Sequence, residues 1–205
     1  FSAAIPEGFD ALAFYRVLRQ KNPATFAAFL DYGEIQVASS SPERLLSLDG
    51  RIVEARPIKG TRRRDADPSR DAALIAELTS SRKDRAENVM IVDLLRNDLS
   101  RVSKPGSVRV PALCGLETYA NVHHLVSVIS SELRDGRTMG DLIAAAFPGG
   151  SITGAPKIRA MEIIAEIERA PRGVYCGAIG YLGFNGRADL NIAIRTAQFG
   201  NGMAR

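Results

Sequence analysis

Lys59 lies in a segment whose composition favours a reactive amine. Pro57 precedes it and Gly60 follows it, so a stiff extended dipeptide and a turn present the side chain. Four arginines lie close in sequence, at positions 56, 62, 63 and 64, and nearby positive charge disfavours the protonated form of an amine. The neutral amine of a lysine is a nucleophile. The alternative interpretation is a solvated basic loop, which is typical of a short run of arginines.

Asp84 and Glu87 form an acidic pair one helical turn apart. The spacing of apolar residues predicts a helix over about 83–97, and Glu87 falls on its apolar stripe. That stripe comprises Met90, Ile91, Leu94 and Leu95. A carboxylate on an apolar face needs a bound cation or an arginine partner, and the pattern leaves both open.

A glycine-rich segment over residues 149–154 precedes a predicted helix over 158–168, which Pro156 can start. Backbone N–H groups and hydroxyls at such a helix end suit a carboxylate. The segment is not a Walker A loop, because the Gly-Lys-Ser/Thr ending is absent. A purely structural turn is the alternative.

The elements that must position these residues are predicted by turn signals and periodicity. Apolar runs at 45–48 and 52–55 flank Asp49-Gly50, which predicts a hairpin. Glu43 and Lys59 then lie at the open ends of that hairpin, where their side chains can converge. Strands and helices are mixed without βαβ regularity, so the sequence predicts an α+β fold.

Composition limits the classes of protein. A chain of 205 residues that is 45% hydrophobic can bury the core of one domain. No apolar run is long enough to span a bilayer, and no signal peptide is evident. Two cysteines, Cys114 and Cys176, predict reduced buried thiols and a cytoplasmic protein. A net charge of +4 without aromatic residues among the basic ones argues against nucleic acid as a partner.

Several segments, in one order, resemble the catalytic half of the chorismate-utilising enzymes. They are residues 41–44, 56–64, 83–98, 122–127, 147–157, 177–182 and 192–196. The resemblance implies a four-layer α/β/β/α fold of mixed or antiparallel sheets, packed face to face and covered by helices. It also implies one catalytic domain over residues 1–205 that is truncated at both ends relative to the family.

The resemblance assigns catalytic roles. Lys59 matches the nucleophile that adds to C2 of chorismate as the C4 hydroxyl leaves. Glu43 matches the acid that protonates this hydroxyl, a role that requires a raised pKa; a surface ion pair is the alternative. His124, in preference to His123, matches the active-site histidine near C4 or the ring carboxylate, although a structural strand histidine is equally open.

The same resemblance implies a set of binding residues. Glu87, with Asp84 nearby, matches the carboxylates that hold Mg²⁺, an ion that prefers hard oxygen ligands. The residues matched to substrate binding are Gly60, Thr61, Ser151, Gly154, Tyr175 and Arg195. Tyr175 and Arg195 are expected to hold the side-chain carboxylate of chorismate, for which an arginine fork is suited.

Lysine at position 59 selects a branch of the family. It is typical of members that convert chorismate and ammonia to 4-amino-4-deoxychorismate for 4-aminobenzoate and folate synthesis, whereas anthranilate-forming members carry a small residue there. Neither cysteine lies in a glutaminase motif, so the ammonia is expected from a separate or fused glutamine amidotransferase. Anthranilate synthesis and a catalytically inactive chorismate-binding or scaffolding fragment remain the alternatives.

Overall fold

A computed structural model describes all 205 residues, and they form two antiparallel sheets and six helices. The elements are β1 (Ala3–Ala4), α1 (Ala11–Lys21), β2 (Phe26–Asp31), β3 (Gln36–Ser41), β4 (Arg44–Asp49), β5 (Ile52–Arg56), β6 (Ile58–Arg63), α2 (Pro68–Ser80), α3 (Arg82–Ser100), β7 (Arg109–Thr118), β8 (Val122–Glu132), α4 (Met139–Ala146), α5 (Gly150–Thr153), α6 (Lys157–Glu168), β9 (Gly180–Leu182), β10 (Arg187–Asn191), β11 (Thr196–Gly200) and β12 (Met203–Ala204). The predicted α+β class is confirmed. No helix has the length and apolar character that crossing a membrane requires.

The smaller sheet has the strand order β1-β12-β11-β3-β2. Helix α1 covers one of its faces, where Ala11, Ala38 and Phe199 form a buried apolar cluster with Phe29 against it. Phe26 lies on the opposite face of β2, and the guanidinium of Arg44 lies 5.4 Å from its ring centroid. The second face therefore meets the other sheet.

The larger sheet has the order β6-β8-β5-β4-β10-β9, with β7 paired to the remaining edge of β8. The main core lies between this sheet and helices α3 and α4; its fully buried members include Leu46, Val53, Ile91, Ile129 and Leu142. Each such side chain contributes about 1.5–3 kcal/mol of burial free energy. The layers thus follow the predicted order of helix, sheet, sheet and helices.

Local signals placed several element boundaries correctly. The Asp49-Gly50 turn joins β4 to β5 in an antiparallel hairpin, and β9 and β10 form the hairpin expected around Asn185-Gly186. Asp67 caps α2, because its carboxylate accepts the N–H groups of Ser69 and Arg70. Both cysteines are free and buried, as predicted.

A β-bulge interrupts β6 beside the candidate nucleophile. Ile58 pairs with Val126 and Thr61 pairs with His124, so Lys59 and Gly60 together stand opposite Leu125 alone. Gly60 adopts φ +92°, a conformation that favours glycine. Ile58 and Thr61 therefore share one face of the sheet, whereas Lys59 and Gly60 face the helices.

The sequence prediction for the buried face of α3 was wrong. Met90 is exposed, and the buried face of α3 instead carries Asn88, Ile91, Val92 and Leu95. The amide of Asn88 stabilises this orientation by donating to the Leu125 carbonyl (3.1 Å) and accepting from Ser127. The glycine-rich segment precedes a helix, as predicted, because α6 begins at Lys157 after Pro156; in addition, residues Gly150–Thr153 form the short helix α5.

Candidate functional site

Glu43, Lys59 and Ser151 converge on the helix side of the larger sheet. Lys59 Nζ donates a hydrogen bond to the Ser151 carbonyl oxygen at 2.9 Å. Glu43 Oε1 accepts the Ile58 N–H at 3.3 Å, which places its carboxyl at the bulge that carries Lys59. The convergence predicted from the hairpin is therefore present, and Ser151 joins it from α5.

The Glu43 carboxyl has the properties of a proton donor. Only 4% of the residue is exposed, and burial raises the pKa of Glu43, although the Ser151 hydroxyl, the Ile58 N–H and Lys59 oppose that shift. A carboxyl with a raised pKa keeps its proton closer to neutral pH, which general acid catalysis needs. The surface ion pair considered for Glu43 is excluded, because Glu43 is buried and forms none.

The Ser151 hydroxyl lies close enough to that carboxyl to influence its pKa, but its buried Oγ has no hydrogen-bond partner in the protein. A buried hydroxyl without a partner costs free energy unless a ligand or water completes it. The cluster thus contains a buried carboxyl with a raised pKa, an amine and a hydroxyl without a partner.

Close packing fixes the segment that carries Ser151. A Cβ added to Gly150 would lie 2.6 Å from Leu94 Cδ2, so only glycine lets α5 approach α3 this closely. At the far end, Lys157 Nζ donates to Asp98 Oδ2 at 2.6 Å and to the Ala146 carbonyl at 2.9 Å. We call this buried Lys157–Asp98 pair the clasp. Nothing in the local sequence of either residue marks it, since α3 and α6 meet only in the fold.

His124 lies on the other face of β6 and β8, opposite Thr61 in the register. Its Nδ1 is hydrogen bonded to Thr61 Oγ1 at 2.8 Å, and its Nε2 is buried without a partner. Burial and the positive charge of Arg195 lower the pKa of His124. These surroundings favour the neutral form of the His124 imidazole, and one of its ring nitrogens has no partner in the protein.

Both ring nitrogens of His123, in contrast, are hydrogen bonded within the protein. Its Nδ1 is bonded to Thr118 at 2.9 Å and its Nε2 to Asp71 at 2.9 Å. The structure therefore supports the choice of His124 over His123 as the residue open to a ligand.

The predicted carboxylate-binding residues are only partly brought together. Arg195 is exposed in the bend between β10 and β11, with φ +50°, and its guanidinium forms no ion pair. It acts on His124 electrostatically. Tyr175 instead lines a groove of about 310 Å³ with Thr153, and the guanidinium of Arg172 lies 6.0 Å from its ring centroid. Gly154, at φ +97°, ends α5.

The candidate metal ligands do not form a preassembled site. The Glu87 side chain is 43% exposed and lies 3.8 Å from Lys83 Nζ, so the buried position expected for it is wrong. Asp84 lies 3.4 Å from an Arg62 nitrogen. No group of three or more potential ligands is clustered in the chain. Glu87 offers one accessible hard oxygen donor, which fits the way Mg²⁺ binds through few carboxylates and several waters.

The arginines near Lys59 do not act as an unbalanced positive field. Arg56 pairs with Glu117 and with Glu54, Arg62 with Glu77 and Asp84, and Arg64 with Asp71. The sequence argument from clustered arginines is therefore wrong, because carboxylates from other elements neutralise three of the four. Partial burial and the hydrogen bond to Ser151 are what distinguish Lys59 from a residue of a solvated basic loop.

The comparisons with known proteins agree with this geometry. The family model described as chorismate binding enzyme matches residues 1–205. The chain is 54% identical to an aminodeoxychorismate synthase of Streptomyces griseus, over 94% of this chain and 27% of that protein. It is also 54% identical to aminodeoxychorismate synthase component 1 of Klebsiella aerogenes, over 91% of this chain and 42% of that protein. It thus spans less than half of these relatives.

Solved structures show the same relationship. Anthranilate synthase component I from Streptococcus pneumoniae superposes with a TM-score of 0.89 and 42% identity, covering 100% of this chain and 44% of that one. A putative isochorismate synthase from Bacillus anthracis superposes with a TM-score of 0.80 and 28% identity, covering 96% and 53%. By family match, sequence identity and fold, the chain belongs to the chorismate-binding enzyme family.

Proposed function

We propose that the protein containing this chain is an aminodeoxychorismate synthase, which converts chorismate and ammonia to 4-amino-4-deoxychorismate for 4-aminobenzoate and folate synthesis. The observation that carries the proposal is Lys59 beside the buried Glu43 carboxyl and Ser151. Relatives that are 54% identical bear that name, and the lysine separates this chain from the anthranilate-forming branch it also resembles in fold.

The proposed chemistry divides one difficult displacement into two steps. The lone pair of the Lys59 amine forms a bond to C2 of chorismate, both conjugated ring double bonds shift, and the C4–O bond breaks. Glu43 gives its proton to the departing hydroxyl, which leaves as water. Ammonia then forms a bond to C4 and gives a proton to the Glu43 carboxylate. Both double bonds shift back, and the C2–N bond breaks, which returns the free amine of Lys59.

The contacts of Lys59 are compatible with that first step. A neutral amine retains two N–H groups, so it can keep its bond to the Ser151 carbonyl while its lone pair stays free. The carbonyl then orients the nucleophile without protonating it. Gly60 and Thr61 continue the same strand, and the Thr61 hydroxyl is bonded to Nδ1 of His124 on the opposite face of the sheet, which leaves Nε2 without a protein partner.

We assign the remaining binding residues to the charged groups of the substrate and to Mg²⁺. Arg195 has no carboxylate of its own, so it is available to the side-chain carboxylate of chorismate. We also assign Ser151, Gly154 and Tyr175 to substrate binding, and Tyr175 lies in the groove beside Arg172. We propose Glu87 as the Mg²⁺ ligand, with Asp84 in support. When bound, the ion would neutralise the ring carboxylate of chorismate and so favour addition at C2.

Ammonia requires a source outside this chain. We propose a glutamine amidotransferase, as a separate subunit or a fused domain, because both cysteines are buried and neither lies in a nucleophile motif. The name "component 1" borne by the Klebsiella aerogenes relative fits a two-component enzyme. Reduced, buried thiols also favour a cytoplasmic location.

Product identity tests the function. The full-length protein, incubated with chorismate, Mg²⁺ and ammonium, should accumulate 4-amino-4-deoxychorismate. Accumulation of anthranilate and pyruvate in its place would refute the proposal, and the absence of any turnover would favour the inactive fragment.

Covalent capture tests the role of Lys59. Intact-protein mass spectrometry after rapid quench with chorismate should detect an adduct that Lys59→Ala abolishes. Lys59→Arg should not restore it, because a guanidinium stays protonated and cannot attack. Lys21→Ala, at the exposed end of α1, is the matched control and should retain the adduct. An adduct that persists in Lys59→Ala would remove Lys59 from the mechanism.

A further inference from the structure

Tyr119 lies against the candidate active-site histidine although the proposed mechanism assigns it no role. Its ring centroid is 5.6 Å from that of His124, and the ring planes meet at 60°, an edge-to-face arrangement. Such contacts are directional, so the phenol ring restricts the orientation of the imidazole as well as covering it.

Other residues fix Tyr119 itself. Its hydroxyl donates to Glu117 Oε2 at 2.6 Å, and the other oxygen of Glu117 accepts from Arg56. Its backbone N–H donates to the Val122 carbonyl at 2.8 Å, which closes the turn between β7 and β8. The ring is therefore anchored at both its backbone and its hydroxyl.

The strand register places this anchor beside His124. Thr61 on β6 and Glu117 on β7 both stand directly opposite His124 on β8. Thr61 holds Nδ1 on one side, while Glu117 and Tyr119 lie on the other. Only Nε2 is left buried without a protein partner.

We propose that Tyr119, anchored by Glu117 and Arg56, is a positioning residue that directs His124 Nε2 into the substrate site and shields the imidazole from water. The proposal rests on the proposed function for the direction of Nε2, because it takes His124 to meet chorismate. The shielding is a property of the protein without substrate. The two parts can therefore be tested separately.

The electrostatic surroundings of His124 determine whether its pKa should rise or fall when Tyr119 is replaced. Burial lowers the pKa of His124; Arg195 and His123 act in the same direction, whereas the Gly60 backbone and Glu117 oppose them. Removing the Tyr119 ring admits water, so burial then lowers the pKa of His124 less than it does in the unchanged protein. The pKa of His124 should then rise toward its ordinary value.

The test uses the full-length protein with ¹³C-labelled histidine and NMR titration of the His124 ring in the absence of substrate. Tyr119→Leu should raise the pKa of His124 the most. Tyr119→Phe keeps the ring but loses the bond to Glu117, so it should raise that pKa less. Tyr32→Leu, an exposed tyrosine in the β2–β3 turn, is the matched control and should leave it unchanged.

Kinetics test the positioning. Misplacing a catalytic group by about 1 Å can lower the rate roughly a hundredfold, so Tyr119→Leu should lower kcat by about ten- to a hundredfold, with a smaller effect on KM. The acid limb of its pH–rate profile should move to higher pH together with the pKa of His124. A purely structural tyrosine would change stability without that shift.

The outcomes separate this proposal from the proposed function. A Tyr119→Leu protein in which the pKa of His124 and kcat both match the unchanged protein would overturn the positioning role, and the same result in Tyr119→Phe would overturn the role of the hydroxyl anchored by Glu117. If Tyr119→Leu does not fold, Tyr119→Phe still decides, because an unchanged titration and kcat then overturn the anchor. A raised pKa in a protein that makes anthranilate would support the shielding and refute the function.

Discussion

Replacing Lys157 by Met should test how strongly the clasp holds the segment that carries Ser151. The side chains of Lys157 and Asp98 are only 12% and 5% exposed, and their charged atoms are 2.6 Å apart. At an effective dielectric constant of 20, two unit charges at that distance attract by about 6 kcal/mol. Removing each ion from water costs several kcal/mol, so the net contribution of the pair is small.

The loss of one partner has a much larger effect than the loss of both. Lys157→Met leaves Asp98 buried without a countercharge and the Ala146 carbonyl without its donor, so we expect unfolding free energy to fall by about 3–5 kcal/mol. The double variant Asp98→Leu/Lys157→Met loses only the carbonyl bond and should cost about 1–3 kcal/mol. A double-mutant cycle should therefore give a coupling of about 2 kcal/mol or more.

The pH dependence of Lys157→Met has a definite sign. Burial already raises the pKa of Asp98 while Lys157 opposes that shift, so removing Lys157 raises it further. A carboxyl whose folded pKa lies above its unfolded pKa destabilises the fold as pH rises through the folded value. The loss of unfolding free energy in Lys157→Met should therefore be larger at pH 8 than at pH 5.

Urea unfolding followed by circular dichroism at both pH values measures these effects in the full-length protein. Arg159→Met is the matched control on the same helix, because its ion pairs with Glu162 and Glu166 are exposed and should contribute less than about 1 kcal/mol. If Lys157→Met cost no more than Arg159→Met, with no difference between the two pH values, the clasp would not hold the helices together.

Three further substitutions test the bulge and the site. Glu43→Gln should abolish turnover. It should also stabilise the fold by about 1 kcal/mol at neutral pH, because the raised pKa of Glu43 means that its buried carboxyl destabilises the fold as pH rises. Thermal unfolding at a lower temperature than that of the unchanged protein would contradict this. Gly60→Ala should lower unfolding free energy by about 2–4 kcal/mol, because φ is +92° and the new Cβ would lie 2.9 Å from Asp84 Cβ; a denaturant midpoint like that of the unchanged protein would contradict it. Glu87→Gln should weaken Mg²⁺-dependent chorismate binding in calorimetry, whereas Asp93→Asn, an exposed carboxylate on the same helix, should not; equal binding by both variants would exclude Glu87 as the ligand.

Short-range features of the fold were predictable from the sequence. The Asp49-Gly50 hairpin and the Asp67 cap depend on residues within four positions of one another, so local chemistry determines them. The fold class followed from the order of these elements. The burial of Glu43 was not predictable in the same way, because it depends on α3 and α5 packing over β4.

Long-range pairing explains where sequence reasoning about the site failed. The arginines near Lys59 suggested a positive field, yet carboxylates up to 61 positions away neutralise Arg56 and its neighbours. The buried face of α3 was misjudged because Asn88 is polar, and only its contact with Leu125 makes it an interior residue. The open Nε2 of His124 is likewise a property of its surroundings.

The bulge in β6 also bears on how such enzymes can diversify. Lys59 occupies a position that has no partner in the ladder, since Ile58 and Thr61 carry the pairing on either side. A change of side chain there leaves the strand register intact, so a lysine and a small residue can be exchanged at little structural cost. The fold thus separates position 59, to which we assign the nucleophile, from the positions that maintain the sheet.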